Sequence, residues 1–275
     1  MLRKIGKFLR YFMIVLICAM CLFPFIILLI LSLNTPKRVF YEGNMFVPDF
    51  YFVNYVEGWI KSNIGKAMIN SLIITGLSIL IIVILCSMAA YVIARFNYKF
   101  NKVIFGIFIS CMMIPGIINT VPLYSLMIKI KAINTLWGMA LVCATLALPQ
   151  AVFIFTGYIN SLPKEIEEAS YIDGCSKFST FWHVVFPLLK PSISSVIILN
   201  GFGIYNNYAQ AAFFLQDSKK HNVPQALSVY FQQFAGAKWN LMAATAVIAI
   251  VPVIVIFLIF QKSLMAGLTE GAVKG

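Results

Sequence analysis

Six stretches of the chain hold no charged residue: 11–36, 67–94, 103–128, 132–163, 191–216 and 239–261. Each exceeds the roughly 20 apolar residues with which a helix crosses a hydrocarbon core. The pattern predicts six membrane-spanning helices, and an even number puts both termini on one side. Two further charge-free stretches, 178–189 and 222–237, are shorter and more polar and are read as interfacial or loop segments. Prolines punctuate the spans: Pro115 and Pro122 in the third, Pro149 in the fourth, Pro252 in the sixth. Each frees a backbone carbonyl and bends its helix, which marks either a cavity or a kinked packing contact. The fourth window is long, so its start at Asn134-Thr135 is expected outside the membrane. Residues 34–66 carry Phe40, Tyr41, Phe46, Phe50, Tyr51, Phe52, Tyr55 and Trp59, with Pro36, Gly43 and Pro48 arguing against a continuous helix. This segment reads as an interfacial aromatic belt or as a surface for an external partner.

The composition is 61% hydrophobic and 11% charged, with a mean hydropathy of +0.91. A soluble domain carries about a quarter charged residues, so that class is excluded. Arg3, Lys4, Lys7 and Arg10 precede the first span, and Arg95, Lys99 and Lys102 follow the second. Basic residues in short flanking segments are held on the cytoplasmic side, which places these segments and both termini there. The net charge of +12 is then a signal of topology and lipid-headgroup contact rather than of nucleic acid. The first apolar run, Tyr11–Leu33, is longer than a signal-peptide core, and no small-x-small site follows it. The six cysteines lie mostly within apolar spans and read as small packing residues, with a redox or metal pair at Cys18 and Cys21 as the other reading. With only His183 and His221 to join them, no metal site assembles.

All nine acidic residues fall outside the six windows. Ion-coupled carriers keep ionisable groups at membrane depth because such groups are costly and retained for function. These spans instead offer neutral amides and hydroxyls, among them Asn70, Ser71, Asn119, Thr120, Gln150 and Asn200. Such groups suit a neutral, hydroxyl-rich solute, and equally hydrogen bonds between helices worth roughly 0.6–2 kcal/mol each. The densest run, Tyr205, Asn206, Asn207, Tyr208 and Gln210, is the candidate substrate path. No G-x-x-x-x-G-K-[ST] occurs, so the chain has no P-loop with which to cradle ATP phosphates.

Between the fourth and fifth spans stands Glu168-Ala169-Ser170-Tyr171-Ile172-Asp173-Gly174, followed by Phe186-Pro187. Asn160-Ser161 reads as a cap, Pro163 as a first-turn residue, Glu165, Glu167 and Glu168 as acids at the positive helix end, and Gly174 as the stop. A helix of about three turns is predicted. The segment resembles the EAA loop of permease subunits of bacterial ABC importers, E-A-A-x-x-D-G and then a hydrophobic-Pro pair, with Ser170 for the second alanine and Phe186 for leucine. Asn70-Ser71-Leu72 and the ending Gly267-Leu268-Thr269-Glu270-Gly271-Ala272-Val273-Lys274-Gly275 are similar to motifs of maltose-transporter-type sugar permeases, the shorter six-span subunit. Tyr205-Asn206-Asn207 falls where that family commonly shows Trp-Asn-Asp or Trp-Asn-Glu.

The resemblance implies an all-α membrane protein of type I importer (MetI-like) fold, six transmembrane helices with a cytoplasmic coupling helix. Residues 1–66 would hold the amino-terminal segment, first span and external loop. Residues 67–265 would form the five-helix core with the EAA loop at 161–187, and 266–275 a cytoplasmic tail. Glu167, Glu168, Ala169, Ser170, Asp173, Gly174 and Pro187 become the ATPase-coupling candidates. Gln232 and Gln233, in the external segment 217–238, become candidates for delivering solute. The implied partners are a second permease, two ATP-binding cassette subunits that bind ATP and Mg, an external solute-binding protein and membrane lipid. The chain itself would be non-catalytic, hold no cofactor, and lie in the bacterial cytoplasmic membrane. A membrane scaffold or assembly protein and an ion-coupled carrier are the alternatives.

Overall fold

The computed structural model describes residues 2–40, 46–96, 98–231 and 238–272. Among these residues every regular element is helical. They are α1 (Leu2–Ser32), α2 (Pro36–Phe40), α3 (Val53–Ser62), α4 (Ile64–Arg95), α5 (Lys99–Met112), α6 (Thr120–Lys129), α7 (Leu136–Ser161), α8 (Glu165–Ile172), α9 (Lys177–Thr180), α10 (Phe186–Leu188), α11 (Lys190–Tyr205), α12 (Ala209–Phe214), α13 (Val223–Ser228) and α14 (Trp239–Ala272). A π-helical turn occupies Phe181–Val185 and a 3-10 turn Ser218–Lys220. The chain divides into two units, Met1–Gly65 with Ala226–Ile254, and Lys66–Gln225 with Val255–Gly275.

Among the described residues, three helices are long and apolar enough to cross a membrane unaided: Gly6–Ser32, Ile64–Arg95 and Leu136–Ser161. Lys177–Leu188 and Lys190–Tyr205 form a fourth if the pair, bent by 71°, counts as one span, and Trp239–Val255 is shorter. The expectation of continuous helices therefore fails at the third and fifth windows. In the third, the helix stops at Met112 and resumes at Thr120. Pro115 has no N–H to give a helix and biases Ile114 away from helical dihedrals. Pro122 then sits in the first turn of α6, where its missing donor is harmless. In the fifth, α11 ends at Tyr205 and α12 begins at Ala209. There the Asn207 Oδ1 accepts the Gln210 N–H at 3.0 Å, a side-chain bond that competes with helix continuation. Pro24, Pro149 and Pro252 are instead carried within α1, α7 and α14.

In the second unit α7 carries the densest core, with Val142, Cys143, Val152, Phe155 and Ile159 all buried. It begins where the sequence places the extramembrane start: Thr135 Oγ1 accepts the Gly138 N–H at 3.0 Å as an N-cap. Ser78 Oγ of α4 reaches the Ala140 carbonyl at 3.1 Å, a polar contact between two apolar helices.

In the first unit the packing of α3 is inverted relative to a water-soluble helix. Its inward face is small and polar, Asn54, Gly58 and Ser62, while Val53, Val56, Trp59 and Ile60 point outward. Asn54 is 1% exposed and holds this unit together. Its Nδ2 donates to the Ser32 and Asn34 carbonyls at 2.9 and 2.8 Å, and its Oδ1 accepts from Asn240 Nδ2 at 2.8 Å. Carbonyls left over at the end of α1 are thereby satisfied without water. Gly58 permits close approach, since a Cβ there would meet Thr245 Oγ1 at 2.6 Å. Asp49 accepts bonds from the Thr35 N–H and hydroxyl, which hold its carboxyl below the usual range, and Arg38 pairs with it at 2.6 Å.

Asn54→Ala is expected to lower stability by about 2 kcal/mol, because the partners it abandons stay buried. A thermal unfolding scan of the detergent-solubilised protein reads this as a lower midpoint. An unchanged midpoint would show that the three partners find other bonds.

Candidate functional site

Helix α8 starts later than the sequence predicts and is shorter, a little over two turns. Asn160 and Ser161 finish α7 rather than capping α8, and Ser161 Oγ donates back to the Tyr158 carbonyl at 2.7 Å. Glu165, Glu167 and Glu168 occupy the first turn, where three acids meet the positive end of the helix dipole. The other end closes as expected. Gly174 has φ +87°, its N–H donates to the Tyr171 carbonyl at 3.1 Å, and the Cys175 N–H donates to the Ser170 carbonyl at 3.0 Å. This is a Schellman closure, which needs a left-handed residue and so favours glycine.

The candidate coupling residues separate into two faces. Glu168, Ala169, Asp173 and Gly174 are exposed, together with Ile166 and an 87% exposed Ile172. Glu167 and Ser170 turn inward and are buried. Ser170 Oγ donates to the Glu167 carbonyl at 2.7 Å and lies 2.8 Å from Thr180 Oγ1, tying α8 to α9. Pro187 stands exposed in α10 just beyond the π turn, whose closing bond runs from the Phe186 N–H to the Phe181 carbonyl. Phe186 packs against Phe181 and Trp182 at centroid distances of 5.9 and 5.0 Å.

Sequence reasoning missed the residues that receive Glu167. Arg95, the last residue of α4, places Nε 2.5 Å from Glu167 Oε1, with side chains only 6% and 8% exposed. Its guanidinium also donates to the Leu162 carbonyl at 3.0 Å. Tyr91, one turn earlier on α4, donates its hydroxyl to Glu167 Oε2 at 3.1 Å and lies 3.2 Å from the Tyr171 hydroxyl. Tyr91 and Arg95 on one helix and Glu167 and Tyr171 on the other are both (i, i+4) pairs, so each presents two groups on one face. That spacing was the available signal. It becomes informative only when the two helices are known to meet.

A groove of about 760 Å³ opens where the third charge-free window is broken, between α5, α6 and α7. Its lining includes Gly116, Asn119, Thr145, Pro149 and Gln150 among apolar neighbours, and it holds no acidic residue, lysine, arginine or histidine. Gln210 comes close: its Nε2 lies 3.9 Å from where a Cβ on Gly116 would sit. The two interrupted spans therefore face each other.

The other substrate-path candidates divide. Tyr205 is buried, and its hydroxyl has no hydrogen-bond partner among the described residues. Asn206 is exposed and donates to the Phe202 carbonyl at 3.0 Å, while Tyr208 is 42% exposed. Asn207 works on the backbone, since its carbonyl also accepts from Asn222 Nδ2 at 2.7 Å. Asn70 and Ser71 hold the chain rather than facing a cavity: Asn70 Nδ2 donates to the Lys219 and His221 carbonyls at 3.2 and 2.9 Å, and Ser71 Oγ accepts the Val223 N–H at 2.9 Å. Gln232 and Gln233 lie outside the described residues.

Residues 85–269 match the family described as binding-protein-dependent transport system inner membrane component. The chain belongs to that family. It is 41% identical to the melibiose/raffinose/stachyose import permease protein of Bacillus subtilis (strain 168), over 92% of this chain and 91% of that one. It is 30% identical to a probable starch degradation products transport system permease protein of Thermoanaerobacterium thermosulfurigenes, over 98% of each. A solved bacterial ABC transporter involved in the import of the acidic polysaccharide alginate shares the fold, with a TM-score of 0.80, 94% of this chain and 96% of that chain covered, and 19% identity.

The fold is thus that of an ABC importer permease. The family match begins within α4 and takes in Tyr91, Arg95 and Glu167, α8, both broken windows and the groove. Gly174→Val is expected to cost about 1–2 kcal/mol at the left-handed position, with no steric clash to add, since nothing lies within 4 Å of the new Cβ. Hydrogen exchange at residues 174 and 175 should accelerate while α7 is unaffected, and Gly174→Asn should do less damage. Equal effects of the two would remove the conformational explanation.

Proposed function

We propose that this chain is one of two permease subunits of an ATP-driven, binding-protein-dependent importer of uncharged oligosaccharides. The observation that carries the reading is the groove at the broken third span. Asn119, Thr145 and Gln150 offer amides and a hydroxyl, with no acidic or basic side chain lining the groove. Amides both donate and accept and so match sugar hydroxyls in either sense. The import permease for melibiose, raffinose and stachyose, uncharged sugars, supports the same class. An acidic polysaccharide of the alginate kind would meet no cation in this groove.

The polypeptide crosses the membrane six times in this reading, at α1, α4, α5 with α6, α7, α11 with α12, and α14. Both termini, the segment 95–102 and α8 face the cytoplasm, and segment 217–238 faces outward. The exposed stripe Ile166, Glu168, Ala169, Ile172 and Asp173 docks one of two ATPase subunits, which bind ATP and Mg. A second permease completes the path, and an external solute-binding protein delivers sugar across 217–238, with Gln232 and Gln233 competing for its hydroxyls. Tyr205, Asn206, Tyr208 and Gln210 line the way onward.

Proteoliposomes holding the four-subunit complex, given binding protein, should take up raffinose with ATP inside and should be inhibited by vanadate. An ionophore should have no effect, and alginate oligosaccharides should not be transported. Asn119→Ala should lower uptake about tenfold, as expected for one lost hydrogen bond of about 1.4 kcal/mol. Uptake abolished by ionophore would establish an ion-coupled carrier, and full uptake in Asn119→Ala would move the solute path elsewhere.

A further inference from the structure

Helix α4 differs from the other long helices. It runs from Ile64 to Arg95 without proline or interruption, whereas α1, α7 and α14 contain prolines and the third and fifth spans are broken. Both of its ends are tied by polar side chains to segments distant in sequence. At the carboxyl end, Arg95 and Tyr91 grip Glu167 by its two carboxylate oxygens, and Tyr91 also meets Tyr171. At the amino end, Asn70 holds the carbonyls of Lys219 and His221, and Ser71 holds the N–H of Val223. From residue 70 to residue 95 an α-helix rises about 38 Å, more than the thickness of a hydrocarbon core.

We propose that α4 is a rigid strut that transmits displacement between α8 and the external segment Lys219–Val223. The idea rests on the coupling role of α8 proposed above and adds the route. Separating α8 from α4 would strand a nearly buried carboxylate and a nearly buried guanidinium, which is far costlier than moving both helices together. The inner face of α8 is committed to this clamp and to Thr180, while its outer face is free to be pushed. An uninterrupted helix absorbs less displacement than one that is kinked or broken, because no proline loosens its bonds. At the far end the strut holds backbone groups, so movement of α4 moves the main chain of 219–223 directly. Coupling of this kind is reciprocal: solute delivery at the outer segment would bias α8 just as ATPase closure biases the outer segment.

The test uses the assembled four-subunit complex in proteoliposomes and reads the ratio of binding-protein-stimulated to basal ATP hydrolysis. Arg95→Gln, and separately the pair Asn70→Ala with Ser71→Ala, should each reduce this ratio about tenfold, within the range of allosteric coupling energies. Combining the two should reduce it no further, since both cut one strut, whereas independent effects would multiply. Spin labels at Ile172 and Ser218 supply the structural readout: nucleotide binding should move both in the parent complex and only the Ile172 label in Arg95→Gln. Tyr91→Phe, which removes one hydroxyl, serves if Arg95→Gln does not assemble and should also lower the ratio. Multiplying effects, or parent-like stimulation in Tyr91→Phe and the Asn70/Ser71 variant, would overturn the strut. The coupling role of α8 fails separately, if Ile172→Asp on its outer face leaves the ATPase subunits bound and stimulated.

Discussion

An apolar environment supplies no hydrogen bonds, and most of this protein follows from that constraint. Where water is absent, each backbone N–H and C=O must be satisfied inside the molecule, which is why every regular element among the described residues is a helix. The same constraint acts on side chains. Asn54 is buried because it closes the carbonyls at the end of α1, and Ser78 is buried because it reaches a carbonyl of the neighbouring helix. These two buried polar residues finish a helix or join two. The outward face of α3, carrying Val56, Trp59 and Ile60, shows the converse arrangement.

Interruptions of a helix are costly under this constraint, so their positions carry meaning. Residues 113–119 interrupt the third charge-free window at Pro115 and Gly116, and 206–208 interrupt the fifth. The two breaks adjoin through Gly116 and Gln210, beside the largely apolar groove with Asn119, Thr145 and Gln150 on its walls. Irregular backbone at membrane depth is tolerated where it is buried in protein or lines a cavity.

The charged residues obey a stricter form of the rule. Arg95 and Glu167 are the terminal residue of one helix and a first-turn residue of another, so each lies where its helix dipole favours it. Pairing them, with Tyr91 and the Leu162 carbonyl filling the remaining valences, lets both be nearly buried. A pair so placed adds little net stability compared with an apolar substitute but is costly to separate.

Much of this was legible in the residues alone. Charge-free windows located every long helix, because the cost of placing a charge in hydrocarbon is a local property that composition records. The run from Glu168 to Gly174 announced a short helix with a glycine stop, and Gly174 indeed takes the left-handed conformation. Hydropathy averages over a window, however, and cannot see a helix break among residues that stay apolar on both sides, so the third and fifth spans read as continuous. Nor could a linear pattern show which face of α8 turns inward. Glu167 and Glu168 are chemically alike and adjacent, yet one is buried and the other exposed, because Arg95 waits 72 residues away. Asn70 and Ser71 likewise read as solute contacts or as bonds between helices, and the fold decides by setting the backbone of 219–223 against them. Local transfer energies choose the elements, but the partners of their polar side chains are decided where distant segments come together.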